Sequence, residues 1–231
     1  MATIVIVHGW WSGGWYFQPT ARRLRSLGHE VYTPTVTGVG ERVHLASPEI
    51  TLETHVQDIV NVIEFEDLSD VVLVGFSNGG MVVTPVADRI PERIRSVVYL
   101  DAFLPRDGES LHDIMPELAA RMEEVAREKG DGWRVPREPA LPRRTPQPIR
   151  PFRDAVRLSN SAAADIPRVY VLFEGNTFPH APVMARMAER ARDSGYRVIT
   201  RPWDHIAPET EPEALADLLH QLASTASPDA A

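Results

Sequence analysis

Short apolar runs alternate with segments of helical periodicity along most of the chain. Residues 4–7 form a continuous β-branched run, which is typical of a strand buried on both faces. Comparable runs predict further strands at 30–33, 70–75, 94–100, 169–173 and 197–200. The spacing of apolar residues predicts helices at 16–27, 52–65, 78–90, 182–193 and 212–222. This alternation predicts an α/β fold in which a mostly parallel sheet of about six strands carries helices on both faces.

The alternation breaks between residues 105 and 165. One helix is predicted there, at 117–129, and a proline-rich run follows it, with prolines at 136, 139, 142, 146, 148 and 151. Proline cannot donate to a strand ladder, so this run cannot supply central strands. We therefore expect 1–104 and 166–224 to form one core, 105–165 to form a small cap over it, and 225–231 to be a frayed tail.

Composition and charge exclude several classes of protein. With 231 residues the chain can bury one full core, and 43% hydrophobic against 24% charged residues is a globular balance. The net charge of −8 argues against a basic, nucleic-acid-binding face. Without cysteine there is no thiolate metal site. Because no apolar stretch reaches about 18 residues and no signal peptide is visible, we expect a cytoplasmic protein that does not enter membranes.

The sharpest chemical signal is the sequence Gly-Phe-Ser-Asn-Gly at 75–79, which fits G-x-S-x-G. This motif requires an apolar strand before it and a helix after it, and both are predicted here. In that context the turn lifts the Ser77 hydroxyl above the sheet. The alternative is a plain glycine turn with an exposed serine. The context favours Ser77 as a nucleophile.

A serine hydroxyl needs a base to take its proton. His205 follows the last predicted strand, late in the chain. Enzymes with this serine motif carry their nucleophile, acid and base in the chain order Ser, acid, His, and His205 fits the last place. The alternative is a surface-loop histidine. His180 is a weaker candidate for the base than His205 and a candidate for the lining of the pocket. His55 and Asp58 are spaced i and i+3, but this pair alone is too little evidence for a metal site. We therefore expect no metal and no cofactor.

An oxyanion formed during attack needs two N–H donors. We expect one from Asn78, directly after the nucleophile, and one from Trp10 in the loop after the first strand. Gly9 lets that loop approach the site closely. A glycine-rich strand-to-helix connector describes the same loop equally well.

Several segments together resemble the plant methylesterase and hydroxynitrile lyase branch of the α/β-hydrolases and its bacterial esterase relatives. The matching segments are 7–9, 14–15, 37–45, 73–81, 98–105, 168–171 and 204–205. The resemblance implies the α/β-hydrolase fold and hydrolysis of a small ester through an acyl-enzyme on Ser77. It covers most of the chain outside the middle of the cap.

Three departures from this branch limit what the resemblance implies. The lyases carry a threonine after the first-strand histidine and a lysine after the catalytic histidine, where this chain has Gly9 and Ile206. Without that lysine no cation can receive cyanide, which argues against cyanohydrin cleavage. The cap is shorter and richer in proline than the plant cap, so plant substrates should not be transferred.

The third departure concerns the acid behind His205. Its usual position in the family is Asn176 here, and an Asp-to-Asn change costs a serine protease about 10⁴ in rate. Asp101, at the end of the strand before, and Glu174 are carboxylates that could substitute. We favour Asp101, while Glu174 and an acid-less Asn176 stay open.

Aromatic and methionine residues near the cap and the sheet edge indicate an apolar pocket. The residues we expect to line it are Trp11, Phe103, Met115, Trp133 and Phe178. The alternative is that they pack the cap onto the core.

The sequence thus predicts a serine-dependent hydrolase that cleaves a small, largely apolar carboxylic ester. A thioesterase, a lactone-acting or cyclase-type enzyme of natural-product metabolism, and a non-catalytic ligand receptor are the alternatives. The expected partner is a small-molecule substrate, without nucleic acid or membrane, and a homodimer is left open. Neither the substrate nor its leaving group can be derived from the residues.

Overall fold

The central element is a parallel sheet. A computed structural model describes residues 1–137 and 142–225, so the expected frayed tail at 225–231 lies outside the described residues apart from Thr225. Within them, six strands pair in parallel in the order β2-β1-β3-β4-β7-β8. Their bounds are Thr3–Val7 (β1), Glu30–Tyr32 (β2), Val71–Phe76 (β3), Ile94–Leu100 (β4), Arg168–Phe173 (β7) and Arg197–Arg201 (β8). The predicted sheet is confirmed.

Helices cover both faces of this sheet. Those outside the cap are Gln18–Ser26 (α1), Leu52–Phe65 (α2), Gly79–Arg89 (α3), Ala181–Asp193 (α7), Ala207–Thr210 (α8) and Pro212–Thr225 (α9). Alternate residues of one strand point to opposite faces. Val5 and Val7 of β1 therefore join the apolar cluster under α2, α3 and α7, whereas Ile4 and Ile6 join the cluster under α1 and α9.

Short 3-10 helices lie between these elements, at Gly14–Phe17, Gly40–Leu45, Pro91–Arg93 and Ser161–Asp165. The helix predicted from residue 16 therefore starts as a 3-10 turn and becomes α-helical at Gln18. The long helix α2 begins at residue 52, as predicted, because Thr51 and Thr54 form a capping box there.

The segment between β4 and β7 contains more structure than the single predicted helix. Besides Pro116–Lys129 (α5), its described part has two one-turn helices, Leu111–Ile114 (α4) and Arg150–Arg153 (α6), and the antiparallel strands Arg134–Val135 (β5) and Gln147–Pro148 (β6). Elements this short leave no periodic signal. The described part of the proline-rich run contributes nothing to the central sheet, as expected. The division into core and cap stays a prediction.

The carboxyl ends of the parallel strands meet at one edge of the sheet. Ser77 follows β3, Asp101 follows β4, and Asn176 and His205 follow β7 and β8. Ligands of open α/β sheets bind at this edge. Among the described residues, no helix combines the length and the apolar character needed to cross a bilayer.

Candidate active site

Ser77 sits on a strained turn that close packing maintains. Its backbone is left-handed, with φ of +53°. A Cβ on Gly79 would lie 2.4 Å from the Val7 carbonyl oxygen, and one on Gly80 would lie 1.9 Å from that of Phe103. Only glycine permits α3 to start this close to its neighbours. The turn is also bonded at both sides, since the Ser77 N–H donates to Leu100 (3.2 Å) and its carbonyl accepts from Phe103 (3.0 Å).

His205 lies within hydrogen-bond distance of this serine. Its Nε2 is 3.0 Å from Ser77 Oγ. The imidazole stacks on Phe76, with ring centroids 4.8 Å apart, and is only 7% exposed. The ring therefore has little freedom to turn away from Ser77.

The carboxylate on the other side of this imidazole belongs to Asp101. Its Oδ2 is 2.6 Å from His205 Nδ1, and the residue is fully buried. The Phe173 N–H donates to Oδ1 (3.2 Å) and the Asn176 amide donates to Oδ2 (2.7 Å). Because Nδ1 faces a carboxylate, it carries the ring proton, and Nε2 is left to accept the proton of Ser77.

The other two candidates for the acid do not contact the imidazole in this way. Glu174 is exposed. Asn176 donates to Asp101, and its amide oxygen accepts from the Phe178 N–H (2.9 Å). The sequence offered no signal for this supporting role of Asn176. The catalytic role of Asp101 stays a prediction, although the geometry agrees with it.

The two predicted oxyanion donors flank the serine. A Cβ on Gly9 would lie 3.0 Å from the Cβ of Ser77, so the loop after β1 passes directly beside the nucleophile. Trp10 follows in that loop, and Asn78 precedes the first turn of α3. Across 1–137 and 142–225, no protein group accepts a hydrogen bond from either N–H. Both donors are therefore available to a ligand.

His8 holds the peptide that carries the Trp10 N–H, a contact that sequence reasoning missed. Its Nδ1 donates to the Gly9 carbonyl (2.7 Å), and its Nε2 accepts from the Val36 N–H (3.3 Å). In a planar trans peptide the C=O and N–H point in opposite directions, so fixing the Gly9 carbonyl directs the Trp10 N–H away from His8. Burial lowers the pKa of His8 to about 4, which keeps this neutral tautomer.

A second histidine packs against His205. The rings of His180 and His205 meet edge to face, with centroids 4.3 Å apart. Burial, and then the neighbouring His205, lower the pKa of His180 to about 3, so its ring is neutral. Within the described residues, His180 Nε2 is buried without a hydrogen-bond partner.

Asp101, His180 and His205 have ligand atoms within 4.8 Å of one another and are the described residues that could hold a metal ion. The sequence predicted no metal site. An ion bound there would compete with the 2.6 Å hydrogen bond between Asp101 and His205. The arrangement as it stands suits proton transfer.

A cavity of about 370 Å³ opens over Ser77 and His205. Trp11 and Phe178, both predicted to line the pocket, lie in its wall. Most of the remaining wall is apolar, and three arginines contribute to it. The lining also includes Tyr16, Leu118, Met122, Val125 and Val135, and the three arginines are Arg121, Arg137 and Arg144.

Three residues that we predicted in the pocket lie elsewhere. Phe103 is fully buried and packs against Trp10, with centroids 5.6 Å apart. Met115 is buried in the core where α5 begins. Trp133 is outside the cavity lining, and the Arg134 guanidinium lies over its ring. Phe103 and Met115 pack in the core, in agreement with the alternative interpretation of these two residues.

Met122 of α5 is one of the cap methionines that indicated a pocket, whereas Leu118 and Val125 were missed although a signal for them exists. Leu118, Met122 and Val125 are spaced i, i+4 and i+7, so they share one helix face. That face points into the cavity.

Comparisons with known proteins agree with this geometry. A sequence profile described as the Alpha/beta hydrolase family matches residues 4–218. A carbendazim hydrolyzing esterase of Nocardioides sp. (strain SG-4G) is 39% identical over 245 aligned residues, which cover 96% of this chain and 100% of that protein. A putative methylesterase 14, chloroplastic, of Arabidopsis thaliana is 27% identical over 54% of this chain and 36% of its own length.

Among solved structures, an extracellular alpha/beta-hydrolase from a Paenibacillus species is similar over 96% of this chain and 98% of its own. It has a TM-score of 0.83 and 28% sequence identity. It is described as sharing structural and functional homology with tobacco salicylic acid binding protein 2. The resemblance to this branch, inferred from the motifs, is confirmed.

The neutral state of His8 predicts a pH dependence of stability. Its pKa is about 4 when folded and 6.5 in the unfolded chain, so only the unfolded chain binds the proton between these values. The free energy of unfolding should therefore fall as pH drops from 6.5 to 4, by up to about 3 kcal/mol from this residue. His8→Asn keeps a donor for Gly9 and should flatten this slope in urea denaturation across that range.

Burial also lowers the pKa of His55 to about 4. His55 and His180 contribute equally to the pH dependence of unfolding in wild type and in His8→Asn, so they do not affect the comparison. The matched control is His44→Asn, at an exposed position, which should keep the wild-type slope. If the free energy of unfolding falls equally with pH in wild type and His8→Asn, His8 is not the buried neutral group that causes the slope.

Proposed function

Because the chain belongs to the alpha/beta hydrolase family, we propose that it hydrolyses small carboxylic esters, with Ser77 as nucleophile, His205 as base and Asp101 as acid. One observation carries the proposal: the hydrogen-bonded chain of Ser77 Oγ to His205 Nε2 (3.0 Å) and His205 Nδ1 to Asp101 (2.6 Å). The three residues also follow one another in the order that this fold uses.

Acylation begins when Ser77 Oγ attacks the ester carbonyl carbon and His205 Nε2 takes the hydroxyl proton. Asp101 stabilises the imidazolium that forms, since its carboxylate faces Nδ1. The Trp10 and Asn78 N–H groups donate to the negative oxygen of the tetrahedral intermediate. His205 then protonates the departing alkoxide, which leaves as the alcohol.

Deacylation repeats these steps with water. His205 takes a proton from the water, which attacks the acyl carbon, and the second intermediate uses the same two N–H donors. Its collapse returns the proton to Ser77 Oγ and releases the carboxylic acid. No cofactor is needed to balance either step.

The cavity supports a small and largely apolar substrate. Its volume of about 370 Å³ and its walls, with Trp11, Phe178, Met122 and Val125, suit an apolar acyl or aromatic group. The esterase that is 39% identical over its whole length agrees with hydrolysis of small esters.

Ester cleavage is favoured over the alternatives by the position of Asp101. Both alternatives, a different acyl reaction and a non-catalytic receptor, depended on the absence of a carboxylate at Asn176. Because Asp101 places a carboxylate 2.6 Å from His205 Nδ1, this reason for the alternatives no longer applies. A cytoplasmic location remains a prediction from the sequence alone.

The role of Ser77 predicts covalent labelling. A fluorophosphonate probe should add one phosphonyl group to Ser77, detected by intact mass and peptide mapping, and should abolish cleavage of p-nitrophenyl acetate. Ser77→Ala should be unlabelled and inactive at the same folded concentration, because no other group takes over the attack. If the wild-type protein is neither labelled nor active on short acyl esters, the proposal is wrong.

The role of Asp101 predicts a large loss of rate in Asp101→Asn. An amide cannot stabilise the imidazolium, so kcat should fall by about 10³–10⁴, while KM changes little. Glu174→Gln is the matched carboxylate-to-amide control and should retain wild-type kcat, since Glu174 is exposed. Steady-state kinetics, normalised by active-site titration, measure both. The reverse order of effects would assign the acid to Glu174.

A further inference from the structure

Trp11 has an unusual backbone for a large side chain. Its φ is +56°, in the left-handed region, which costs an ordinary residue about 1–2 kcal/mol. It directly follows Trp10, whose N–H is the proposed oxyanion donor. Some other interaction must hold Trp11 in this conformation, and its hydrogen bonds identify the partner.

Every polar group of Trp11 is bonded to the segment between α5 and α6. Its N–H donates to Gln147 Oε1 (3.3 Å), and its indole N–H donates to the Val135 carbonyl (2.9 Å). Its carbonyl accepts from the Thr145 N–H (3.2 Å). The two-stranded sheet sets this spacing, because Val135 of β5 pairs directly with Gln147 of β6.

The ring of Trp10 is held from the same side. It stacks on Phe152 of α6, with centroids 4.6 Å apart and planes 15° from parallel. The loop after β1 is thus fixed twice, by His8 at the Gly9 carbonyl and by the cap at Trp10 and Trp11. The peptide that carries the Trp10 N–H is thus held directly at its Gly9 carbonyl, and the next peptide is held at the Trp11 N–H.

We propose that Gln147 is a positioning residue that holds the Trp10 N–H in place for the oxyanion. This inference rests on the proposed function. Gln147 is only 2% exposed and does not line the cavity, so it acts through Trp11 and does not touch the substrate. The cap then does more than enclose the substrate, because its small sheet completes the group that stabilises the transition state.

A positioning role has a kinetic signature that a binding role lacks. An oxyanion donor acts on charge that is present only in the transition state, so its misplacement lowers kcat and leaves KM nearly unchanged. Removal of such a donor costs about 10²–10³ in kcat. Gln147 only positions the donor, and its loss should cost less, about 10-fold.

The test compares Gln147→Met, which keeps the shape but removes the acceptor, with Gln147→Glu, which keeps an acceptor oxygen. Gln147→Met should lower kcat about 10-fold with KM within about two-fold of wild type. It should weaken a boronic acid inhibitor, whose adduct mimics the tetrahedral intermediate, by the same factor. Gln147→Glu should recover most of kcat. Gln57→Met, on the exposed face of α2, is the matched control and should behave as wild type.

Kinetics are normalised to the Ser77 sites that a fluorophosphonate titrates, so unfolded protein does not count. Should Gln147→Met fail to fold, Gln147→Asn withdraws the amide oxygen and carries the same expectation. Unchanged kcat and boronic acid affinity, or a rise in KM alone, would overturn the role of Gln147 while ester hydrolysis stands. Absence of wild-type turnover would instead remove the proposed function on which the inference depends.

Discussion

The loop after β1, the start of α3 and the loop after β4 meet at Ser77. The site depends on glycines at these contacts, because a side chain there would keep the backbones apart. Gly9, Gly79 and Gly80 each lie where a Cβ would come within 3.0 Å of a neighbouring strand or loop. Their contacts hold Ser77 in a left-handed conformation that an ordinary turn would relax. This close approach brings the hydroxyl, the loop after β1 and the end of β4 together, so the other distances of the site follow from it.

The same backbone strain recurs at neighbouring strand ends. Trp11, Ser77 and Asp101 follow β1, β3 and β4, and all three have positive φ. Each is held by hydrogen bonds from another element: Trp11 by the cap, Ser77 by Leu100 and Phe103, and Asp101 through its own N–H to Val171 (2.7 Å). Asparagine and aspartate tolerate this conformation better than most residues, which suits Asp101 to the end of β4. From there its carboxylate reaches His205 Nδ1.

Much of this could be predicted from the sequence. The strands, the long helices and the positions of Ser77 and His205 leave periodic or motif signals, because burial and a glycine-bounded turn constrain residue type. The pocket was predicted less well. Phe103 and Met115 are apolar because they pack in the core, and composition alone does not separate a cavity wall from a core. The roles of Asn176, His8 and Gln147 depend on hydrogen bonds between segments distant in sequence, which no local pattern encodes.

The proposed mechanism requires Asp101 to hold the Nδ1 proton of His205, and proton NMR of protein labelled with ¹⁵N-histidine observes that proton. A strongly deshielded proton coupled to His205 Nδ1 is expected. This signal should persist in Glu174→Gln and be lost or move far upfield in Asp101→Asn, since the hydrogen bond to a buried carboxylate causes the deshielding. A signal that is unchanged in Asp101→Asn but lost in Glu174→Gln would show that Asp101 does not hold this proton.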